Sequence, residues 1–169
     1  NALTILDGHL SLLVAQEVIP CRSPLGRLTV GANGCIGVGV PFAIGAKLTF
    51  PDRPVLAICG DSAFGFCAME LETAVRHGLV FTVVVIDNQG IWGGHIQRAN
   101  YAAGHERVAM FGASIRYDRL AESLGAHGEY VENPAEIAPA LSRAAASGRA
   151  ACVQVRVDPL SSIPSAPRF

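Results

Sequence analysis

The chain has 169 residues, 50% hydrophobic and 16% charged, a balance that supports a buried core and excludes a disordered segment. Thirteen Lys and Arg against fourteen Asp and Glu leave a net charge of −1 with no block of either sign, which argues against nucleic acid or an anionic membrane and favours small-molecule chemistry. The longest apolar runs reach about eight residues, too short for a helix across a bilayer.

Taken in order, apolar β-branched runs alternate with helical patterns, the signature of an α/β fold with a parallel sheet covered by helices on both faces. Strands are predicted over residues 3–6, 55–59, 81–86, 128–131 and 152–157. Helices are predicted over 9–18, 36–48, 68–77, 117–124 and 135–147. Asn133 followed by Pro134 opens the last of these, and Gly78 and Gly125 read as helix stops. Residues 20–33 and 90–114 break the alternation; the second is either a functional loop or lid, or an exposed mobile loop. Residues 1–158 form the expected domain, and the Pro-rich 159–169 a terminal arm that is either disordered or folds over a site as a lid.

Five cysteines, Cys21, Cys35, Cys59, Cys67 and Cys152, are odd in number and lack C-x-x-C spacing, so they read as reduced thiols and place the protein in the cytoplasm. The chain starts on Asn1 rather than Met and carries no leader pattern, which reads as a fragment or a processed chain.

The chemistry concentrates at two strand ends. The strand 55–59 runs into Gly60-Asp61-Ser62-Ala63-Phe64-Gly65 ahead of a helix, and the strand 81–86 runs into Asp87-Asn88-Gln89-Gly90. Carboxyl ends of parallel strands next to helix N-termini are where open α/β sheets bind anionic ligands. The Asp61 carboxylate, the Asn88 amide oxygen and nearby carbonyls are hard donors suited to Mg²⁺ that shares its shell with water and phosphate.

With 26 residues between Asp61 and Asn88, this pair resembles the diphosphate-binding motif of the thiamine-diphosphate enzymes. The resemblance spans nearly the whole chain, from the strand before Asp7-Gly8-His9 to Asp158-Pro159. The continuation Ser62-Ala63-Phe64-Gly65-Phe66-Cys67-Ala68-Met69-Glu70-Leu71-Glu72-Thr73 is similar to 2-hydroxyacyl-CoA lyases and oxalyl-CoA decarboxylases, while residues 31–45 and 51–55 look like the acetolactate-synthase-like segment. What this implies is a thiamine-diphosphate-binding fold, with Mg²⁺ held by Asp61, Asn88 and the Gly90 carbonyl. It also implies thiamine diphosphate contacted by Gly60, Asp61, Ser62 and Ala63, with Ile36 beneath the cofactor and Ile91 and Trp92 beside its thiazolium ring. Trp92 stands where the family more often has Tyr, and Asn33-Gly34-Cys35-Ile36 replaces a Gly-Thr/Val-Met type of run.

In such enzymes the glutamate that protonates the aminopyrimidine lies on a separate pyrimidine-binding domain, for which this chain has no room. Glu70 and Glu72 read as helix surface rather than as substitutes. The resemblance therefore implies a domain or subunit of a hetero- or homo-oligomer, completed by a second polypeptide or by a further part of this one. Its reaction would be the reversible cleavage of a 2-hydroxyacyl-CoA to formyl-CoA and an aldehyde or ketone. Oxalyl-CoA decarboxylase or acetolactate-synthase-like chemistry is the alternative, and a non-catalytic cofactor-binding assembly subunit or a plain nucleotide-binding domain stands outside that class.

Other candidates read as structural. Gly34, Gly37 and Gly39 lack dinucleotide-loop spacing and suit close helix packing, and Gly45-Ala46-Lys47 lacks Walker-loop spacing. Met69 and Phe66 read as core, and His77 as a helix end. His9 is either a cap or a site neighbour, and for His95 and His105 substrate contact is open.

Overall fold

The computed structural model describes residues 2–91, 102–105, 109–111 and 114–160. Within them, six strands pair in one all-parallel sheet: β1 (Leu3–Asp7), β2 (Arg27–Thr29), β3 (Val55–Gly60), β4 (Thr82–Asp87), β5 (His127–Val131) and β6 (Ala151–Arg156). Their spatial order is β2-β1-β3-β4-β6-β5. Six helices among the described residues connect or flank them: α1 (Leu10–Val18), α2 (Gly39–Thr49), α3 (Asp61–Cys67), α4 (Glu70–Arg76), α5 (Tyr117–Ser123) and α6 (Ile137–Ala146).

The strands are apolar on both sides because both faces are covered. Leu3, Ile5, Ala57, Cys59, Val83, Val85 and Cys152 face a core shared with Val40 of α2, Phe64 of α3, Leu71 of α4 and Tyr117 of α5. Their neighbours Leu6, Ile58, Val84, Val153 and Val155 face a second core with Ala15 of α1 and Ala140 and Ala144 of α6. Two-residue alternation along each strand thus sorts the chain into the two layers.

The predicted strands all form, within a residue or two. Asn133 caps the turn before α6 through its Oδ1, which accepts from the Ala135 amide at 3.0 Å, and Gly78 and Gly125 end their helices at φ +62° and +86°. Two features differ from expectation. Residues 20–33 contain β2, a three-residue edge strand that is only half-buried and so carries little alternation to read. The helix predicted over 68–77 begins earlier, at Asp61, and is broken between Cys67 and Glu70 into α3 and α4. Of the expected terminal arm, Pro159 and Leu160 are described, with the Leu160 amide on Asp158 Oδ1 at 2.9 Å; the remainder lies outside the described residues.

Candidate functional site

Parallel pairing aligns the carboxyl ends of the central strands. Asp7 lies opposite Cys59, Gly60 opposite Ile86, and Asp87 opposite Arg156. Asp61, the first residue of α3, therefore follows directly at the same edge, and Asp7, Asp61 and Asp87 are 0%, 1% and 2% exposed. Three buried carboxylates at one sheet edge need compensation.

Asp7 is compensated by backbone alone. Its Oδ1 accepts from the Gly8 amide at 2.7 Å, and its Oδ2 from the amides of Gly37, Val38 and Gly39 at 3.1, 2.8 and 2.7 Å. These donors open α2, so the carboxylate sits on the positive end of that helix. Ile36 immediately precedes them and is 36% exposed. Its loop lies on α3: Gly37 has φ +90°, and a Cβ there would come within 2.7 Å of Phe66 Cβ. A Cβ on Gly39 would overlap Cys59 Sγ, so α2 reaches β3 only because this position is glycine.

Asp61 accepts from the Ser62 amide through Oδ1 at 2.7 Å and from the Gly90 amide through Oδ2 at 2.9 Å. Burial raises its carboxyl from 3.8 to about 7, against those two amides and with a further push from Asp87. Asp87 in turn accepts from the Gln89 amide on Oδ1 at 3.0 Å, and on Oδ2 from Gln154 Nε2 at 2.7 Å and an Arg156 guanidinium nitrogen at 3.5 Å. Burial, followed by the two carboxylates, also pushes the Tyr117 hydroxyl up, and that ring stands edge-on to Phe64 with centroids 5.6 Å apart.

The turn after β4 joins Asp61 to the second strand end. Gln89 adopts φ +60°, which swings the Gly90 amide toward Asp61. Residues 89–91 then pair antiparallel with 109–111: the Ile91 amide donates to Ala109 O at 2.7 Å and the Phe111 amide to Gln89 O at 2.8 Å. Asn88 is half-buried within this turn.

The structure thus brings together Asp61, Asn88 and Gly90, flanked by Gly60 and Ser62, with Ala63 fully buried next to them. Ile91 is 39% exposed beside them. Trp92 and His95 lie outside the described residues. His9 is exposed at the same edge, and His105 is exposed. Glu72 pairs with Arg76 at 3.1 Å on the surface of α4, as expected of a helix face, and Lys47 closes the end of α2 through Pro51 O at 2.6 Å. Phe66 and Met69 are not core: they are 74% and 64% exposed, because α3 and α4 turn these positions away from the sheet. Asp7, Tyr117 and Gln154 were missed by the sequence reading. The signals available for them were a carboxylate before Gly8 at a strand end and a lone amide inside the apolar run of β6.

The donor set fits a divalent cation. Burial that raises the Asp61 carboxyl to about 7 disfavours its charged form, a cost that a nearby Mg²⁺ would offset, and carboxylate, amide and carbonyl oxygens are the ligands that ion prefers.

Residues 8–155 match the family of thiamine pyrophosphate enzymes, at the C-terminal TPP binding domain. The chain belongs to that family and is a thiamine-diphosphate-binding domain. It is 43% identical over 166 residues to an acetolactate synthase large subunit of Mycobacterium tuberculosis, covering 97% of this chain and 30% of that protein. With a 2-hydroxyacyl-CoA lyase of Arabidopsis thaliana the identity is 34% over 165 residues, 95% of this chain and 29% of the relative. With the oxalyl-CoA decarboxylase of Escherichia coli it is 35% over 153 residues, 90% and 27%. A solved benzoylformate decarboxylase from Polynucleobacter necessarius shares the fold at a TM-score of 0.76 and 18% identity, over 94% of this chain and 30% of that one. The chain therefore spans about 30% of the length of these relatives.

Proposed function

We propose that residues 1–158 form the Mg²⁺- and diphosphate-holding half of a thiamine-diphosphate enzyme that cleaves a carbon–carbon bond in a 2-hydroxyacyl-CoA, giving formyl-CoA and an aldehyde or ketone reversibly. The observation that carries this is the Asp61–Gly90 hydrogen bond, which closes two strand ends into one oxygen-lined turn. In this reading Asp61, Asn88 and the Gly90 carbonyl hold the metal, Gly60, Ser62 and Ala63 line the diphosphate site, and Ile36, Ile91 and Trp92 shape the ring site. When bound, the cofactor supplies an electron sink for breaking a bond to a carbonyl carbon.

The chain's own residues orient and neutralise. Asp7 anchors the loop that presents Ile36, and Asp61, once ionised, would give the cation its carboxylate oxygens. The group that activates the aminopyrimidine comes from a pyrimidine-binding domain, in the same polypeptide or another; the 30% share of each relative supports that need. The 43% identity to an acetolactate synthase favours a second reading, condensation of 2-oxo acids at the same site.

The test is calorimetric titration of the chain with thiamine diphosphate, with and without Mg²⁺. Binding that needs Mg²⁺ and is lost in folded Asp61→Ala and Asn88→Ala variants is the expected result. Binding of NAD or ATP in place of thiamine diphosphate would overturn it. Adding a pyrimidine-binding domain and offering a 2-hydroxyacyl-CoA or pyruvate then separates the lyase from the synthase by product, and no turnover with either leaves an assembly subunit.

A further inference from the structure

Gln154 is an amide in the interior of β6, between Val153 and Val155 and 0% exposed. All of its hydrogen-bonding capacity is used. Its Oε1 accepts from the amides of Tyr117 and Asp118 at 2.8 and 3.3 Å, capping α5. Its Nε2 donates to Ile115 O at 2.8 Å and to Asp87 Oδ2 at 2.7 Å. Capping a helix accounts for the oxygen. It leaves the nitrogen, which fastens the carboxylate immediately before Asn88.

From Asp87 the constraint passes along the chain without a gap. With Oδ2 tied to Gln154, Oδ1 is aimed at the Gln89 amide, which holds Gln89 at φ +60°, a conformation a non-glycine residue keeps only when its surroundings enforce it. That conformation points the Gly90 amide at Asp61. The same turn is gripped from the other side by the pairing of 89–91 with 109–111, and Gln154 also holds Ile115, where the chain returns to the sheet. Without Gln154, Asp87 Oδ2 keeps only the longer contact to an Arg156 guanidinium nitrogen at 3.5 Å, and the added freedom of its carboxylate would loosen every link.

We propose that Gln154 is the positioning residue of the metal-binding turn: through Asp87 it sets the geometry in which Asn88 and Gly90 meet Asp61. The inference rests on the cofactor reading above only for what the turn holds. Partners at this remove from a ligand set commonly change metal affinity ~10–100-fold when removed.

The discriminating variant is Gln154→Glu read at alkaline pH, which keeps an oxygen to cap α5 and, once ionised, has no hydrogen for Asp87. In the metal-free 17.7 kDa chain, exchange of the Gln89 and Gly90 amides, read by NMR relative to other β4 amides, should accelerate about tenfold or more. Asp87→Asn on that background returns a donor–acceptor pair of reversed polarity and should restore protection. With thiamine diphosphate present, the dissociation constant for Mn²⁺, read by EPR well below the melting temperature, should rise ~10–100-fold. Val153→Ala, on the opposite face of the same strand, should lower the melting temperature without moving either readout. If Gln154→Glu does not fold, Gln154→Met is read in its place. Unchanged relative exchange at Gln89 and Gly90, or failure of both variants to fold, would assign Gln154 to the fold alone and overturn the proposal. Failure of the unaltered chain to bind Mn²⁺ with thiamine diphosphate would instead strike the cofactor reading, leaving the exchange result to decide on Gln154.

Discussion

Replacing Asp61 by asparagine should make the metal-free chain more stable at alkaline pH while removing its response to Mg²⁺. Burial lifts this carboxyl from 3.8 to about 7, so between those values the native state holds a proton that the unfolded chain releases. Stability from this group is complete below about pH 4 and falls as pH rises through 7. The interval corresponds to about 4 kcal/mol at 1.36 kcal/mol per pH unit. The substituted amide has no charge to bury and keeps an acceptor for the Ser62 amide, but turns a donor toward Gly90, which forfeits about 1–2 kcal/mol. The balance at pH 8 is a gain of about 2 kcal/mol, or roughly 4–8 °C in a chain of this size; at pH 4 only the lost bond remains, so the variant is weaker there. Urea unfolding of both proteins in EDTA across pH 4–8, followed by circular dichroism, reads the difference and cancels the contributions of other groups. A variant less stable than the parent at pH 8, or a difference independent of pH, would refute the electrostatic argument.

Other outcomes follow from the same contacts. Asp7→Ala strips four backbone amides of their acceptor and should lower stability by about 3 kcal/mol in the same urea assay, without dependence on Mg²⁺. Gly39→Ala drives a methyl into Cys59 Sγ and should cost about 1–3 kcal/mol, of which Cys59→Ala on the same chain recovers a large part. Phe66→Ser and Met69→Ser, both on exposed positions, should leave the chain's stability within about 0.5 kcal/mol of the parent. Asn133→Ala removes the cap before α6 and should cost about 1 kcal/mol by chemical denaturation.

The sheet was legible because strands buried on two faces, such as 83–85, leave a dense apolar signal, and because Gly78 and Gly125 stop helices for a steric reason that local sequence contains. Asp61 and Asn88 were legible as a spaced pair, and the family match bears out the resemblance they suggested. What escaped depends on partners far away in the chain. Asp7 becomes important through amides about thirty residues on, and Gln154 through a carboxylate 67 residues earlier, and no local pattern encodes either. Phe66 and Met69 were misplaced because an apolar residue next to a buried helix face reads as core until the helix's rotation about its axis is known.

The strand order carries a consequence for how the protein is made. β4 sits between β3 and β6, so a nascent chain exposes one edge of β4 until β6, Ala151–Arg156, has left the ribosome. Gln154 travels on that strand. The turn that gathers Asn88, Gly90 and Asp61 is therefore completed only after β6, and a chain truncated before residue 151 should leave Asp87 Oδ2 without Gln154 and Arg156.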